Sequence, residues 1–303
     1  MKVTIDYPVS GPDHDPSLIS RAGVAAVAAT ADRLGFDAIA FTEHPAPSHK
    51  WRHNGGHDTL DLTSALAFCA AVTARIRLMT HLLVLPYHNP FAAAKALTTV
   101  DLLSDGRLTV VAGTGYLRSE FLALGIDFET RNERFDEALE VMRALWCAGE
   151  EPTSFEGRFF TGIGVAHAPG PVQIGGPPVL IGGNSARARR RAANNQGWSP
   201  LLVPEAVART SRTAALTLED LPRHIAEVRT RAVDEQGAGA GVMIQTQGLH
   251  TDVMRRADIS VEEHRDVLGR LAEAGVDSVV LSVRCDSIEA AVEGLERYAA
   301  TYR

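Results

Sequence analysis

The chain has 303 residues and a formal net charge of −7, with 45 % hydrophobic and 22 % charged residues. This composition is typical of an ordinary soluble globular protein. The sequence has no block of basic residues, which argues against nucleic-acid binding. We expect no membrane association, because no apolar run approaches the roughly 20 residues of a membrane span.

The N-terminal segment is too short and too mixed in composition for a signal peptide. The three cysteines, Cys69, Cys147 and Cys285, lie far apart and form no CxxC pair. Such a set predicts neither a disulfide framework nor a zinc finger, and it favours a reducing cytoplasm.

Short β-rich runs alternate with longer segments of helical period along the first half of the chain. The helix over 58–73 has Asp58 or Thr59 near its N-cap, and the helix over 90–106 begins at a proline. In chain order, the predicted elements are a strand at 2–8, a helix at 20–35, a strand at 37–42, a helix at 58–73, a strand at 76–85, a helix at 90–106, a strand at 107–115 and a helix at 131–149.

Residues 150–177 interrupt this alternation, because they are rich in Gly, Pro and aromatic residues. We interpret them as a long insertion that contains a hairpin. The alternation then resumes with strands at 178–183, 197–202, 241–248 and 277–283 and with helices near 185–194, 219–236, 260–273 and 286–300.

Eight strands alternating with about eight helices are typical of an α/β protein with a single (β/α)8 TIM barrel and inserted loops. Apolar runs flanked by helices indicate parallel strands that are covered on both faces. No change of composition marks a linker, so we expect residues 1–303 to form one domain. A doubly wound sheet is the alternative fold.

In a TIM barrel the active site lies at the C-terminal ends of the strands. One of these ends, "LIGGNS", places Gly182 and Gly183 at the end of a strand and Asn184 or Ser185 at the start of a helix. The first N–H groups of a helix point outward and attract an anion, and glycine lets a phosphate approach the backbone. The pattern indicates a phosphate site, but an ordinary strand-to-helix turn would look the same.

Two further strand ends carry candidate site residues. Gly113 and Gly115 bracket Thr114 in "AGTGY", where a flat ring could press against the backbone. The second strand ends in "TEHP", in which His44 could donate a hydrogen bond or a proton near neutral pH. His44 could instead be a satisfied buried histidine. For the neighbouring Glu43 we expect a structural role.

The segment after the second strand contains His49, His53, His57 and Asp58, which raises the question of a metal site. The segment has no HxH on a strand, no HExxH motif and no ligand pair at a compelling helical spacing. A Ser-His-Asp hydrolase has less support still, because the chain lacks a GxSxG nucleophile elbow. We expect no bound metal and keep a metal-dependent TIM-barrel hydrolase as an alternative of another class.

The strand ends together resemble the luciferase-like monooxygenase superfamily. The similarity is carried by "LGFDAIAFTEHP", "LLVLPYHNP", "AKALTTVDLLSDGRLTVVAGTGY", "EFLALGIDF" and "VLIGGNSARARRRAA", from the first strand to about residue 200. Within this superfamily the chain is most similar to the actinobacterial group that depends on coenzyme F-420. The resemblance implies a TIM barrel that binds a flavin, either the 5-deazaflavin F-420 or FMN, at its mouth.

The resemblance also implies roles for individual residues. His44 would be the catalytic residue and would lie near the reactive edge of the ring. The third strand would contain a bulge with a non-proline cis peptide. Thr80 would bond the pyrimidine side of the ring. The other cofactor-binding residues that we assign are His81, Gly113, Thr114, Gly115, Gly182, Gly183, Asn184, Ser185 and Trp198.

Three positions depart from the relatives' pattern. Asn195-Gln196 stands where "GD" is usual before Gly-Trp, His88 stands where arginine is frequent, and the bulky His81 follows Thr80 in place of a small residue. We therefore keep a non-catalytic flavin-binding barrel as an alternative.

As the main function, the resemblance favours an oxidoreductase that transfers hydride between F-420 and a small organic substrate. An FMN-dependent monooxygenase with a partner reductase is the alternative within the family. A homodimer is the assembly that the resemblance implies.

Overall fold

The computed structural model describes residues 1–9, 14–149, 151–205, 208, 213–256 and 258–302. Within these ranges ten strands have the bounds β1 Lys2–Asp6, β2 Ala38–Phe41, β3 Arg77–Val84, β4 Leu108–Gly113, β5 Thr153–Glu156, β6 Thr161–Val165, β7 Val179–Gly182, β8 Gly197–Ser199, β9 Met243–Thr246 and β10 Ser278–Ser282. The α-helices are α1 Arg21–Arg33, α2 His49–His53, α3 Leu62–Val72, α4 Pro90–Leu103, α5 Arg118–Ala123, α6 Arg131–Ala148, α7 Ala186–Ala193, α8 Leu221–Gln236, α9 Val261–Glu273 and α10 Ile288–Tyr302.

Eight of the strands form a closed barrel in the order β1-β10-β9-β8-β7-β4-β3-β2, with every pair parallel. The sheet closes because β1 pairs with β2 on one side and with β10 on the other. The predicted TIM barrel is confirmed, and the doubly wound alternative is wrong.

Side chains fill the barrel interior. Ala38, Ala40, Met79, Val111 and Leu180 form a small apolar cluster of their own, separate from the larger core between the strands and the helices. Beside this cluster, a polar group joins three of the strands. Thr4 donates to Gln245 Oε1 at 3.0 Å, and Ser278 donates to the same oxygen at 3.4 Å. A barrel filled in this way has room for a ligand only at its mouth.

The loops differ more from the sequence predictions than the barrel does. The third helix starts at Leu62 and is capped by Asp61, whose carboxylate accepts from Ser64 N at 2.8 Å. The expected cap at Asp58 or Thr59 is wrong. Asp58 forms an ion pair with Arg52, and Thr59 donates to the His44 carbonyl at 3.1 Å.

Two short helices, α2 and α5, lie in segments that we predicted to be loops, since five or six residues carry too little periodic signal. The insertion over 150–177 contains the predicted hairpin, β5 paired with β6, although residue 150 lies outside the described ranges. Within those ranges no helix has both the length and the apolar character that a membrane span requires.

One arginine connects three segments at the N-terminal end of the barrel. The Arg107 guanidinium donates to the Ser104, Ile76 and Thr73 carbonyls at 2.7, 2.8 and 3.0 Å. These carbonyls belong to the ends of α3 and α4 and to the approach to β3, so one side chain fixes the start of two barrel strands.

We expect Arg107→Ala to lower the free energy of unfolding by about 2–3 kcal/mol, because several partly buried carbonyls lose their donor. Denaturant unfolding followed by circular dichroism measures this change. As a control, Arg33→Ala removes an exposed ion pair with Glu296 and should change the stability by no more than about 0.5 kcal/mol. Equal effects of the two substitutions would contradict this account of Arg107.

Candidate active site

A cavity of about 490 Å³ opens at the C-terminal ends of the barrel strands. Leu82 forms part of its floor and packs against two glycines. A Cβ added at Gly113 would lie 2.7 Å from Leu82 Cδ1, and one added at Gly182 would lie 2.5 Å from Leu82 Cδ2. Any side chain at these positions would force Leu82 to move, so the two glycines make room for Leu82 in the floor. The volume lies in the range of about 300–1,000 Å³ that is usual for small-molecule sites.

A bulge in β3 brings two consecutive residues to this cavity. The register with β4 shifts between His81 and Leu83, and the peptide bond between His81 and Leu82 is cis. The expected bulge with a non-proline cis peptide is confirmed. Because a bulge interrupts the alternation of a strand, both His81 and Leu82 line the cavity. Burial without a compensating charge lowers the pKa of His81 to about 4, so this imidazole is neutral near pH 7.

His44 lies at the end of β2 and lines the same cavity. Its Nδ1 lies 3.1 Å from Glu120 Oε2, and the Glu120 side chain is fully buried. Glu120 also accepts from Tyr87 Oη at 2.9 Å and from Ala46 N at 3.2 Å. Burial, together with the adjacent Glu120 charge, raises the pKa of Tyr87 far above its usual range, so its hydroxyl donates to the carboxylate. Glu120 thus fixes the His44 ring with Nδ1 towards α5 and leaves Nε2 for other contacts.

Aromatic rings surround His44. Ring centroids lie 4.4 Å away for Trp51, 5.3 Å for His57 and 6.0 Å for Tyr116. Burial lowers the pKa of His57, and the neighbouring His44 lowers it further. His57 is therefore a neutral neighbour of His44, and α2, which carries Trp51, forms part of the enclosure.

Glu43 joins the ends of two strands. Its Oε2 accepts from Val84 N at 2.6 Å, and its Oε1 lies 2.7 Å from His88 Nε2. These contacts agree with the structural role that we expected. Burial by itself would lower the pKa of His88, but the hydrogen bond to Glu43 and its charge outweigh burial, so the pKa of His88 is raised.

The predicted phosphate turn lies beside the cavity. Gly183 has a positive φ of 105°, Ser185 Oγ accepts from Ala188 N at 3.1 Å, and α7 starts at Ala186. The turn borders a second cavity of about 570 Å³ that shares part of its wall with the first. The two cavities have in common Thr114, Gly115, Tyr116, Gly182, Gly183 and Thr213.

Three of the residues that we assigned to the cofactor have their polar groups turned elsewhere. Thr80 is fully buried. Its hydroxyl donates to the Val111 carbonyl at 2.7 Å and accepts from the Val111 amide at 2.8 Å. Trp198 is also fully buried, and its Nε1 donates to the Gly183 carbonyl at 2.8 Å. Neither side chain lines the cavity. Trp198 packs in the core between the strands and the helices, and Thr80 follows the inward-facing Met79 on β3, so the alternation of the strand turns it outward.

Asn184 borders the second cavity, but its amide is used by the backbone. Its Nδ2 donates to the Leu201 and Ala214 carbonyls at 2.7 Å each, and its Oδ1 accepts from Leu201 N at 2.9 Å. The side chain therefore holds the turn in place, and a part for Asn184 in phosphate binding stays a prediction.

Sequence reasoning missed several residues of the site. Glu120 and Tyr116 contact His44, and Tyr87 donates to Glu120, all from segments far away in the chain. The glutamate stands in "GYLRSEF", but nothing in that segment distinguishes a buried carboxylate from an exposed one on a short helix. Further polar residues also line the cavity, namely Asp6, Gln247, Arg255 and Ser282.

The unusual Asn195-Gln196 pair lies outside both cavities. Asn195 contacts Arg143 and donates to the Arg191 carbonyl, and Gln196 accepts from Val179 N at 3.0 Å. These two residues connect the base of α7 to its neighbours, so their departure from the relatives' pattern leaves the cavity unchanged.

The histidines after β2 do not converge on one point. His49 and His53 stack at 3.8 Å between ring centroids, whereas Asp58 pairs with Arg52. Among the described residues, no three His, Cys, Asp or Glu side chains are arranged so that they could hold a metal ion.

The closed parallel barrel, with a cavity at the C-terminal ends of its strands, defines a TIM-barrel protein. The luciferase-like monooxygenase family model matches residues 3–215. The chain therefore belongs to this family.

Several relatives share sequence with this chain, and solved structures share its fold. An F420-dependent glucose-6-phosphate dehydrogenase of Kribbella flavida is 30 % identical over 240 residues, which cover 74 % of this chain and 67 % of that protein. The enzyme of the same name from Nocardia farcinica is 33 % identical over 172 residues. This match spans 55 % of this chain and 48 % of that protein, which is about half of its length.

The fold matches a monooxygenase, RslO1, from Streptomyces bottropensis with a TM-score of 0.81 at 22 % identity, covering 100 % of this chain and 98 % of that one. It also matches an F420-dependent secondary alcohol dehydrogenase in complex with an F420-acetone adduct. For that structure the TM-score is 0.76 at 15 % identity, and the match covers 99 % of this chain and 98 % of that one.

The raised pKa of His88 predicts how the Glu43–His88 pair depends on pH. A group whose pKa is higher in the folded state adds stability below its unfolded value of 6.5, and this stability is lost as the pH rises through the folded value. His88→Gln should therefore cost more free energy of unfolding at about pH 6 than at about pH 8.5.

Paired denaturation curves at the two pH values measure this difference. His53→Gln, on the exposed face of α2, serves as the control and should show the same effect at both. A cost of His88→Gln that is independent of pH would rule out an ion pair.

Proposed function

We propose that this protein, acting as a single domain, is an oxidoreductase that transfers hydride between coenzyme F-420 and a small organic substrate. The observation that carries the proposal is the buried His44–Glu120 pair at the edge of a glycine-floored cavity. That cavity continues, through shared walls, to the N-terminus of α7. The order of these features, from acid–base group to flat floor to anion site, suits a flavin-type ring with a phosphate on its side chain.

The residues present fit such a cofactor. Gly113 and Gly182 let the Leu82 side chain pack close to the backbone, and a planar ring would lie against the apolar floor that these residues form. Gly183 and Ser185 form the turn at which backbone N–H groups and the helix dipole favour a phosphate. Thr114 and Gly115 lie between these two regions and would flank the side chain of the cofactor.

When bound, F-420 supplies a carbon centre that accepts or gives up a hydride. The chain has to handle the accompanying proton. As an alcohol carbon loses its hydride, His44 Nε2 accepts the hydroxyl proton and a carbonyl product forms; in the reverse direction His44 returns that proton. Glu120 faces Nδ1 at 3.1 Å and stabilises the imidazolium, and the surrounding rings exclude water.

Support for F-420 comes from relatives named as F420-dependent dehydrogenases and from a solved F420-dependent alcohol dehydrogenase of the same fold. An FMN-dependent monooxygenase that works with a partner reductase is the second candidate. It is supported by a solved type II Baeyer-Villiger monooxygenase in complex with FMN, which matches this fold with a TM-score of 0.75 at 17 % identity. The phosphate turn would serve either cofactor.

The alternatives of other classes receive less support. A metal-dependent hydrolase would need the histidines after β2 to converge, and the described side chains do not. A non-catalytic flavin-binding barrel was suggested by His81 and by Asn195-Gln196. His81 is a neutral side chain that lines the cavity, and Asn195-Gln196 lies outside the cavity.

We also infer a homodimer located in the cytoplasm. The homodimer is supported by the family resemblance, and the cytoplasmic location by the few, dispersed cysteines. Light scattering coupled to gel filtration measures the assembly directly.

Titration with F-420 and with FMN, each oxidised and reduced, should show saturable binding of F-420 with a shift in its absorbance spectrum. FMN should bind more weakly. Failure of both cofactors to bind would end the proposal, and tight binding of FMN alone would favour the monooxygenase. Metal analysis of the same preparation tests the hydrolase alternative, which stoichiometric zinc would support.

We expect His44→Gln to lower kcat by about 10²–10⁴-fold, because the reaction loses its proton acceptor. The dissociation constant of the cofactor should change little. Equal losses of turnover and of cofactor affinity would make His44 a binding residue, and an unchanged kcat would leave it a structural one.

Glu120→Gln should lower kcat, because the imidazolium that forms on His44 loses the carboxylate that faces its Nδ1 at 3.1 Å. Steady-state kinetics measures this loss. Thr59→Val, which removes the hydrogen bond to the His44 carbonyl, is the matched control and should leave kcat unchanged.

A further inference from the structure

The cavity beside the phosphate turn is larger than a phosphate requires. Its volume is about 570 Å³, and it extends from α7 to the first turns of α5 and α6. Four arginines line it, and no carboxylate does among the described residues; the arginines are Arg118, Arg131, Arg187 and Arg191. We refer to this cavity as the arginine groove.

The arginines are only partly neutralised by their neighbours. Glu129 pairs with Arg118 at 2.7 Å, with the two side chains 67 % and 61 % exposed, and Glu133 pairs with Arg187 at 3.6 Å. Exposed pairs of this kind are worth little and exchange readily for a better partner. Within the described residues, Arg131 has no carboxylate partner at all. The groove therefore keeps positive charge available for a ligand.

An aromatic ring holds two of these guanidinium groups in place. The Arg118 and Arg131 guanidinium carbons lie 4.1 and 3.8 Å from the centroid of the Phe128 ring. Arg131 also donates to the Phe128 carbonyl at 2.9 Å. An arginine carries five N–H donors, so these contacts orient the group and leave donors for an anion. The entropy cost of ordering the side chains is thus lower when a ligand binds.

The fourth arginine has a different position. Arg191 is mostly buried and forms two hydrogen bonds with Asp136, at 2.6 and 2.9 Å, and a third with the Asn132 carbonyl at 2.8 Å. Arg191 therefore stabilises the wall of the groove, and the other three arginines are the ones available to contact a ligand.

We propose that the arginine groove receives the carboxylates of the glutamyl tail of F-420, with Arg131 and Arg187 as the main contacts. The inference rests on the proposed function, because it assumes that the ring and the phosphate lie as described above. The groove begins where the phosphate turn ends, so a ligand that continues beyond its phosphate enters it directly. FMN ends at the phosphate and leaves the groove empty. The groove therefore selects F-420 over FMN through charge that lies remote from the ring.

Two forms of the cofactor test this inference. One is F-420 with several glutamates, and the other is its precursor, which has the phosphate and lactyl group but no glutamate. The wild type should bind the glutamylated form about tenfold more tightly at low salt, as expected for two or three exposed charge pairs. The advantage should shrink with added salt, because exposed charges are screened.

The variant carrying Arg131→Gln and Arg187→Gln should lose this advantage. Its affinity for the precursor should stay within about twofold, because the precursor has no glutamate carboxylates for the two arginines to bind. The control variant, Arg33→Gln with Arg75→Gln, removes the same charge at the opposite end of the barrel and should keep the advantage. Fluorescence or absorbance titration measures both variants without any need for turnover.

The outcomes separate the two proposals. If neither form of F-420 binds to the wild type, the proposed function fails. If both forms bind equally at every salt concentration, or if the control variant loses the advantage as well, the function stands and the inference about the groove is wrong.

Discussion

Closure of the parallel sheet is the constraint on which the rest of this structure depends. Because β1 hydrogen-bonds to both β2 and β10, the barrel has no free edge, and all eight strands end around one opening. The interior below that opening is filled by small and branched side chains and by the Gln245 group. Every polar strand end is thus brought to a single rim, around the cavity at the mouth.

At the rim, the site is assembled from segments that are remote in sequence. His44 follows β2, whereas Glu120 belongs to the helix after β4, and their contact spans 76 positions. Leu82 reaches the floor because the bulge in β3 turns two consecutive residues inward, and it fits there because Gly113 and Gly182 lack side chains. The floor, the contact between His44 and Glu120, and the turn at Gly183 therefore depend on neighbouring strands being in register.

Some residues near the site hold its backbone in place. Trp198 donates to the Gly183 carbonyl, Asn184 bonds the segment that follows β8, and Glu43 links the ends of β2 and β3. The polar atoms of these side chains are engaged within the protein, with backbone groups and, for Glu43, also with His88. They keep glycine-rich and bulged backbone in place, which flexible loop sequences alone would not do.

The sequence by itself determined the barrel, the hairpin in the insertion and the glycine-rich strand ends, because these depend on local periodicity and on residue types with special backbone freedom. It could not determine that Thr80 points outward, that Asp61 caps α3 or that Glu120 meets His44. The direction of a side chain depends on strand parity and on a bulge, and contacts between distant segments depend on how the barrel closes. Arg118, Arg131 and Arg187 likewise read as scattered surface charges in the sequence, and only packing of α5, α6 and α7 around one opening places them together.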